Sequence, residues 1–82
     1  MESAPLLNVS VRVLGQLRRY LQGQHRVTLS VGQGATVGDA IGSLGVPSEE
    51  LSIVRLNGKP ADLAELLHTG DHIDIFSPLA GG

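Results

Sequence analysis

A strict two-residue alternation, present twice in the first third of the chain, constrains the fold more than any other feature. In Asn8-Val9-Ser10-Val11-Arg12-Val13-Leu14, the residues Val9, Val11 and Val13 fall on one side and Asn8, Ser10 and Arg12 on the other. From His25 to Val31 the pattern returns, with Val27, Leu29 and Val31 opposed to Arg26, Thr28 and Ser30. Side chains of a strand point alternately to its two faces, so both segments are strands with one wet face. Ser52–Leu56 and His72–Phe76 are shorter strands, with Val54, Leu56, Ile73 and Ile75 inward. Ser10, Arg12, Thr28, Arg55 and Asp74 then share the opposite, polar side. A sheet with a single apolar face needs one covering layer.

Residues 36–45 supply that layer. Thr36 is a good N-cap, and Asp39, three residues on, suits both a capping box and the positive end of a helix. Val37, Ala40, Ile41 and Leu44 form the apolar stripe. Gly45 fits the C′ position and Pro47 stops continuation. The helix is expected to run for about three turns. Gly38 and Gly42 each weaken it by roughly 1 kcal/mol relative to Ala, so it must be held by packing close to the sheet. Leu14, Leu17 and Leu21 suit one or two further helical turns ended by Gly23, although a wide loop fits the same residues. Residues 1–7 are expected to be a loose arm. Ser48–Leu51 reads as a capped turn, Asn57-Gly58 as a tight turn, Lys59-Pro60-Ala61 as a brief returning strand, and residues 62–67 and 68–71 as turns.

The order strand, strand, helix, strand, minor strand, strand gives an α+β, β-grasp (ubiquitin-like) domain, a mixed sheet with one main helix packed on one face. Residues 1–82 form one domain with a flexible Gly-Gly tail from about residue 77. Val11, Val13, Leu29, Ile41, Leu44, Val54, Leu56, Ile73 and Ile75 are expected to be buried together.

Composition excludes several functions. There is no cysteine, hence no disulfide, no thiolate metal site and no side-chain thiol to carry sulfur. A net charge of −2 and only two aromatic residues, Tyr20 and Phe76, argue against nucleic acid. No apolar run is long enough to span a membrane, and the first residues lack a secretory pattern, so a cytoplasmic location is expected. His25, His68 and His72 do not share a helix face, so no metal is expected. Gly32-Gln33-Gly34 lacks the Lys-Ser/Thr of a phosphate loop and is a turn. Asp71 and Asp74 read as turn and solvent-facing residues, and no Ser-His-Asp nucleophile is suggested. Phe76 breaks the inward pattern: alternation puts it with Asp74, near Ile53, Leu79, Arg12 and Arg55, as a candidate interface anchor. Beyond it the sequence runs Ser77-Pro78-Leu79-Ala80-Gly81-Gly82. Glycine enters channels too narrow for side chains, so a carboxylate on Gly82 can be presented deep inside another protein.

Residues 53–82 resemble the MoaD/ThiS family of ubiquitin-like sulfur carriers. The resemblance rests on Leu56-Asn57-Gly58 after a strand, the Gly70-Asp71 turn, and a last strand leading into Phe76-Ser77-Pro78-Leu79-Ala80-Gly81-Gly82. It extends through Thr36-Val37-Gly38-Asp39-Ala40 to the first strand. The ending is most similar to the small subunit of molybdopterin synthase, which commonly has a second proline where Ser77 stands. The resemblance implies that a ubiquitin-activating-like enzyme spends ATP to adenylate Gly82. A sulfur donor such as a cysteine desulfurase or rhodanese-like protein then leaves a C-terminal thiocarboxylate. The molybdopterin synthase large subunit would supply the catalytic groups and this chain the sulfur, with no permanently bound cofactor. Gly81, Phe76, Pro78, Leu79, Arg55 and Arg12 are the partner-binding residues implied. A carrier for thiamine thiazole or another sulfur pathway, a protein modifier conjugated through Gly82, and a plain binding module remain open at this point.

Overall fold

The computed structural model describes residues 6–51 and 53–76. Five strands form one sheet: β1 (Leu6–Leu14), β2 (Arg26–Gly32), β3 (Ile53–Leu56), β4 (Lys59–Pro60) and β5 (His72–Phe76), in the order β2-β1-β5-β3-β4. β1 runs parallel to β5, and the β1/β2, β3/β4 and β3/β5 pairs are antiparallel. One α-helix, α1 (Val37–Ser43), lies between β2 and β3 in the chain. This is the mixed β-grasp sheet that the alternation implied.

β1 starts two residues earlier than expected. Leu6 pairs with Gly32 and Leu7 with Val31, so Leu6-Leu7 is strand and not part of a loose arm. Two adjacent leucines hide the alternation, because in a strand they face opposite ways. Leu7 continues the buried series Val9, Val11, Val13, while Leu6 stays 59% exposed. Gly15–Leu21 is a 3₁₀ segment that buries Leu17 and Leu21. Leu14 belongs to β1 and points to the other side, so it does not share their stripe. The segment ends with Gln22 at φ 57° and Gly23 at φ 87°, both amides donating to the Arg18 carbonyl. At its side, the Tyr20 hydroxyl and the Arg19 guanidinium both donate to Glu50, at 2.8 and 2.7 Å.

α1 has seven residues, about two turns rather than three. The capping box forms as read: Thr36 Oγ1 accepts from the Asp39 amide and Asp39 Oδ2 from the Thr36 amide. The other end stops early because Gly45 adopts φ 81° directly after Leu44, the C-cap. Gly38 approaches a loop and not the sheet. A Cβ built there lies 3.1 Å from the Leu63 carbonyl oxygen and 3.2 Å from Leu63 Cβ. That loop supplies acceptors for the first amides of α1, Val37 to Glu65 at 2.9 Å and Gly38 to Leu63 at 2.8 Å.

The core lies between the sheet and this layer: Leu7, Val9, Val11, Val13, Leu17, Leu21, Val37, Ala40, Ile41, Val46, Leu67, Ile73 and Ile75. Of the nine residues expected there, Leu29, Leu44, Val54 and Leu56 are only partly buried, packed against its margin. β2 is an edge strand and β3 lies next to the other edge, so the thin helical layer covers them incompletely.

Candidate functional site

Among the described residues no helix covers the face of the sheet turned away from α1, and β5 runs through its centre. Alternation puts His72, Asp74 and Phe76 on that face, and the register extends each into a row. Leu14, Phe76 and Ile53 form an apolar row across β1, β5 and β3; Arg12, Asp74 and Arg55 form a charged row; Ser10 and His72 form a polar one. The turn at Asn57-Gly58, with φ 53° and 85°, fixes β3 and β4 as a hairpin beside them. Asp71 braces the approach to β5, its carboxylate accepting from the His68 amide at 2.7 Å and from Asn57 Nδ2 at 3.0 Å.

Asp74 is only 7% exposed, although no helix covers it. Its neighbours bury it: Arg12 Nε donates to Asp74 Oδ1 at 3.0 Å, and His72 Nε2 lies 2.9 Å from the same oxygen. His72 Nδ1 in turn lies 2.6 Å from Ser10 Oγ. Asp74 is therefore not the solvent-facing residue expected of it. The structure also aligns a Ser10–His72–Asp74 chain where none was anticipated. The i, i+2 spacing of His72 and Asp74 carried half of that signal. Ser10 joins only through the parallel β1/β5 register, 62 residues away. In the tautomer with the proton on Nε2, His72 donates to Asp74 and accepts from the Ser10 hydroxyl. The chain ties Arg12 Nε to Asp74, with the Arg12 side chain still 38% exposed. A carboxylate accepting from several donors holds a fixed place better than a lone ion pair.

Arg12, Arg55 and Phe76 therefore lie together. The Arg55 guanidinium stands over the Phe76 ring, 5.5 Å from its centroid, and Ile53, 43% exposed, sits directly across from Phe76. Pro78, Leu79, Gly81 and Gly82 lie outside the described residues. Among the described residues no group of three or more His, Cys, Asp or Glu side chains is placed to hold a metal, and no described helix is long and apolar enough to cross a membrane. On the far side of the molecule, the Arg19 guanidinium is held above its ordinary pKa by the Tyr20 hydroxyl first and the Glu50 carboxylate next.

The model of the family described as Mut7-C ubiquitin matches residues 6–79. The chain belongs to the Mut7-C ubiquitin family. No curated protein matches it. Among solved structures, this Mut7-C ubiquitin is similar to SAMP1 from Haloferax volcanii, with 27% identity and a TM-score of 0.74 over 92% of this chain and 99% of that one. It shares its fold with Urm1 from Trypanosoma brucei, at 16% identity and TM-score 0.69, covering 98% and 100% of the two chains. It also shares the fold found in the complex of subunits 1 and 2 of the molybdopterin-converting factor from Helicobacter pylori, at 19% identity and TM-score 0.61, covering 93% and 100%. The Mut7-C ubiquitin domain thus has the ubiquitin-like β-grasp fold of small modifiers and sulfur carriers, and the MoaD/ThiS resemblance holds.

Proposed function

We propose that this chain is a sulfur carrier for molybdopterin biosynthesis, with Gly82 as its reactive end and the open face of the sheet as its docking surface. The observation that carries this reading is the row Leu14, Phe76, Ile53. It is an apolar strip on a face that no described helix covers, at the point where β5 hands the chain on towards Gly81 and Gly82. Large anchors beside a reactive tail are what partner recognition needs, and Arg12, paired with Asp74, and Arg55, over the Phe76 ring, flank them with guanidinium groups. Pro78 and Leu79 add apolar residues to the sequence that follows β5, and Gly81 lets the end pass a narrow channel.

A carboxylate has no leaving group. An oxygen of Gly82 must attack the α-phosphate of ATP in a ubiquitin-activating-like enzyme, displacing pyrophosphate. The terminal sulfur of a persulfide on a cysteine desulfurase or rhodanese-like donor then attacks the acyl carbon and displaces AMP, forming a C–S bond where the activated C–O bond breaks. A second thiol of the donor reduces the resulting acyl disulfide, releasing the thiocarboxylate and leaving a disulfide on the donor. The thiocarboxylate, a better nucleophile, is delivered to the pterin precursor in a large subunit, where proximity supplies much of the rate. The Helicobacter pylori protein of the same fold, seen in a complex of two molybdopterin-converting subunits, supports a large-subunit partner. These steps belong to the cytoplasm, where thiols are kept reduced.

The similarity to SAMP1 of Haloferax volcanii, a small archaeal modifier protein, favours a second reading, in which Gly82 becomes amide-linked to lysines of other proteins. Incubation with the activating enzyme, ATP and a sulfur donor, followed by intact mass, separates the two. The expected product ends at Gly82 with one oxygen replaced by sulfur. Deleting Gly82 abolishes it, and Phe76→Ala weakens binding of the activating enzyme by more than about 1 kcal/mol while leaving the melting curve unchanged. Equal thiolation of the deleted chain would sink the carrier reading, and lysine-linked products without free thiocarboxylate would replace it with the modifier.

A further inference from the structure

We propose that two copies of this chain pair through the outer edges of their β2 strands, antiparallel and centred on Leu29, to make one continuous sheet. Among the described residues no strand pairs with the outer edge of β2. Val13 donates to the His25 carbonyl at 2.8 Å, and the antiparallel register continues from there. Backbone groups of Val27, Leu29 and Val31 therefore point to β1, and those of Arg26, Thr28 and Ser30 and the Gly32 amide point outward, the Gly32 carbonyl accepting from the Ala35 amide at 3.1 Å.

The outward positions are self-complementary. A twofold axis at Leu29 sets Thr28 against Ser30 of the second copy, the pair exchanging two backbone hydrogen bonds, and Arg26 against Gly32 of the second copy, where the Gly32 amide donates to the Arg26 carbonyl. On the helix-side face, Val27 meets Val31 and Leu29 meets Leu29 of the second copy. All three are only partly buried in the single chain, as they would be if the layer covering them continued across the axis. On the open face no like charges meet, because Arg26 falls opposite a glycine.

Gly32 itself is the second observation. It is not among the positive-φ glycines, and a Cβ built on it meets nothing within 4 Å, so the single chain has no need of glycine there. In the pair, its bare position opens a path for the Arg26 stem towards Leu6 of the second copy, which stands next to Gly32 in β1 and is 59% exposed in the single chain. Strands lie about 4.8 Å apart, which brings Leu6 within reach of an arginine laid along the sheet. β5 and its apolar row lie two strands away from β2, so the pair presents two free docking faces.

The chain contains no cysteine, so single-cysteine variants report cleanly. Opposed non-hydrogen-bonded residues have Cα atoms about 4.5 Å apart, within the range a disulfide spans. Leu29→Cys should oxidise to a covalent dimer, whereas Val27→Cys, facing Val31 of the second copy, should not. In the unmodified chain, hydrogen exchange at the Thr28 and Ser30 amides should slow as protein concentration rises, while the amides of Val27, Leu29 and Val31 stay protected throughout. Equal cross-linking of the two variants overturns the pairing, as do Thr28 and Ser30 amides that exchange freely at every concentration. Protection of those amides only when another protein is added overturns it in favour of strand addition by that protein.

Discussion

Gly38 and Gly42 sit one helical turn apart in α1, and replacing each by alanine should move stability in opposite directions. Alanine in a helix is worth about 0.5–1 kcal/mol over glycine. At Gly42 nothing lies within 4 Å of a new Cβ, so Gly42→Ala should keep that gain. At Gly38 the new atom lies 3.1 Å from the Leu63 carbonyl oxygen and 3.2 Å from Leu63 Cβ. Leu63 has little freedom to retreat, because its carbonyl accepts the Gly38 amide at 2.8 Å and the Glu65 carbonyl next along accepts the Val37 amide at 2.9 Å. Overpacking costs about 1–3 kcal/mol, and a neighbour held on both sides puts the cost in the upper part of that range, about 2–3 kcal/mol, so Gly38→Ala should lose about 1–2 kcal/mol net of a propensity gain of about 1 kcal/mol. Each kcal/mol shifts the midpoint of a domain this size by about 4–8 °C. Thermal melts followed by circular dichroism should therefore show Gly42→Ala rising by roughly 2–8 °C and Gly38→Ala falling by roughly 4–16 °C. If Gly38→Ala melts at or above the parent, the loop yields freely and its close approach is not what requires glycine.

Two other perturbations probe the layers on either side of the sheet. Ile41→Ala empties a buried site on α1 and should cost about 2–5 kcal/mol, against a total of about 4–12 kcal/mol for a chain of this length; urea denaturation measures it, and an unchanged midpoint would refute the helix's role in the core. Asp74→Asn keeps the shape but removes the charge that Arg12 and His72 share, so it should cost about 1 kcal/mol, held low by the partial exposure of both partners; a denaturation midpoint equal to the parent's would show that the network contributes nothing to stability.

What the sequence revealed follows from the range of the physics involved. Strand alternation, the capping box at Thr36 and Asp39, and the turn at Asn57-Gly58 are local, and all appear as read. Leu6 and Leu7 escaped because a leucine pair has no alternation to detect. Val46 and Leu67 are single apolar residues in irregular segments, where no period marks a core residue, yet both are buried. In the site, Phe76 and Arg55 could be placed on one face by counting residues, and the cation–π contact between them confirms their proximity. The Ser10–His72–Asp74 chain could not be placed, since it depends on which strands are neighbours and in what register, information that no local stretch contains.

The parallel pairing of β1 with β5 has a kinetic consequence. The central pair of the sheet joins the first described strand to the last, so its contacts close a loop of about sixty residues, of which Ser10 and His72 are one example. Non-local contacts of this kind slow folding, because chain entropy must be given up before they form. On the ribosome, β1 and β2 emerge early as a hairpin, and the side of β1 that β5 will occupy stays open until residue 76 has cleared the exit tunnel. A nascent chain is therefore exposed to mispairing along β1 for most of its synthesis. The open face, which needs β1, β3 and β5 in register, cannot form before β5 has paired with both neighbours.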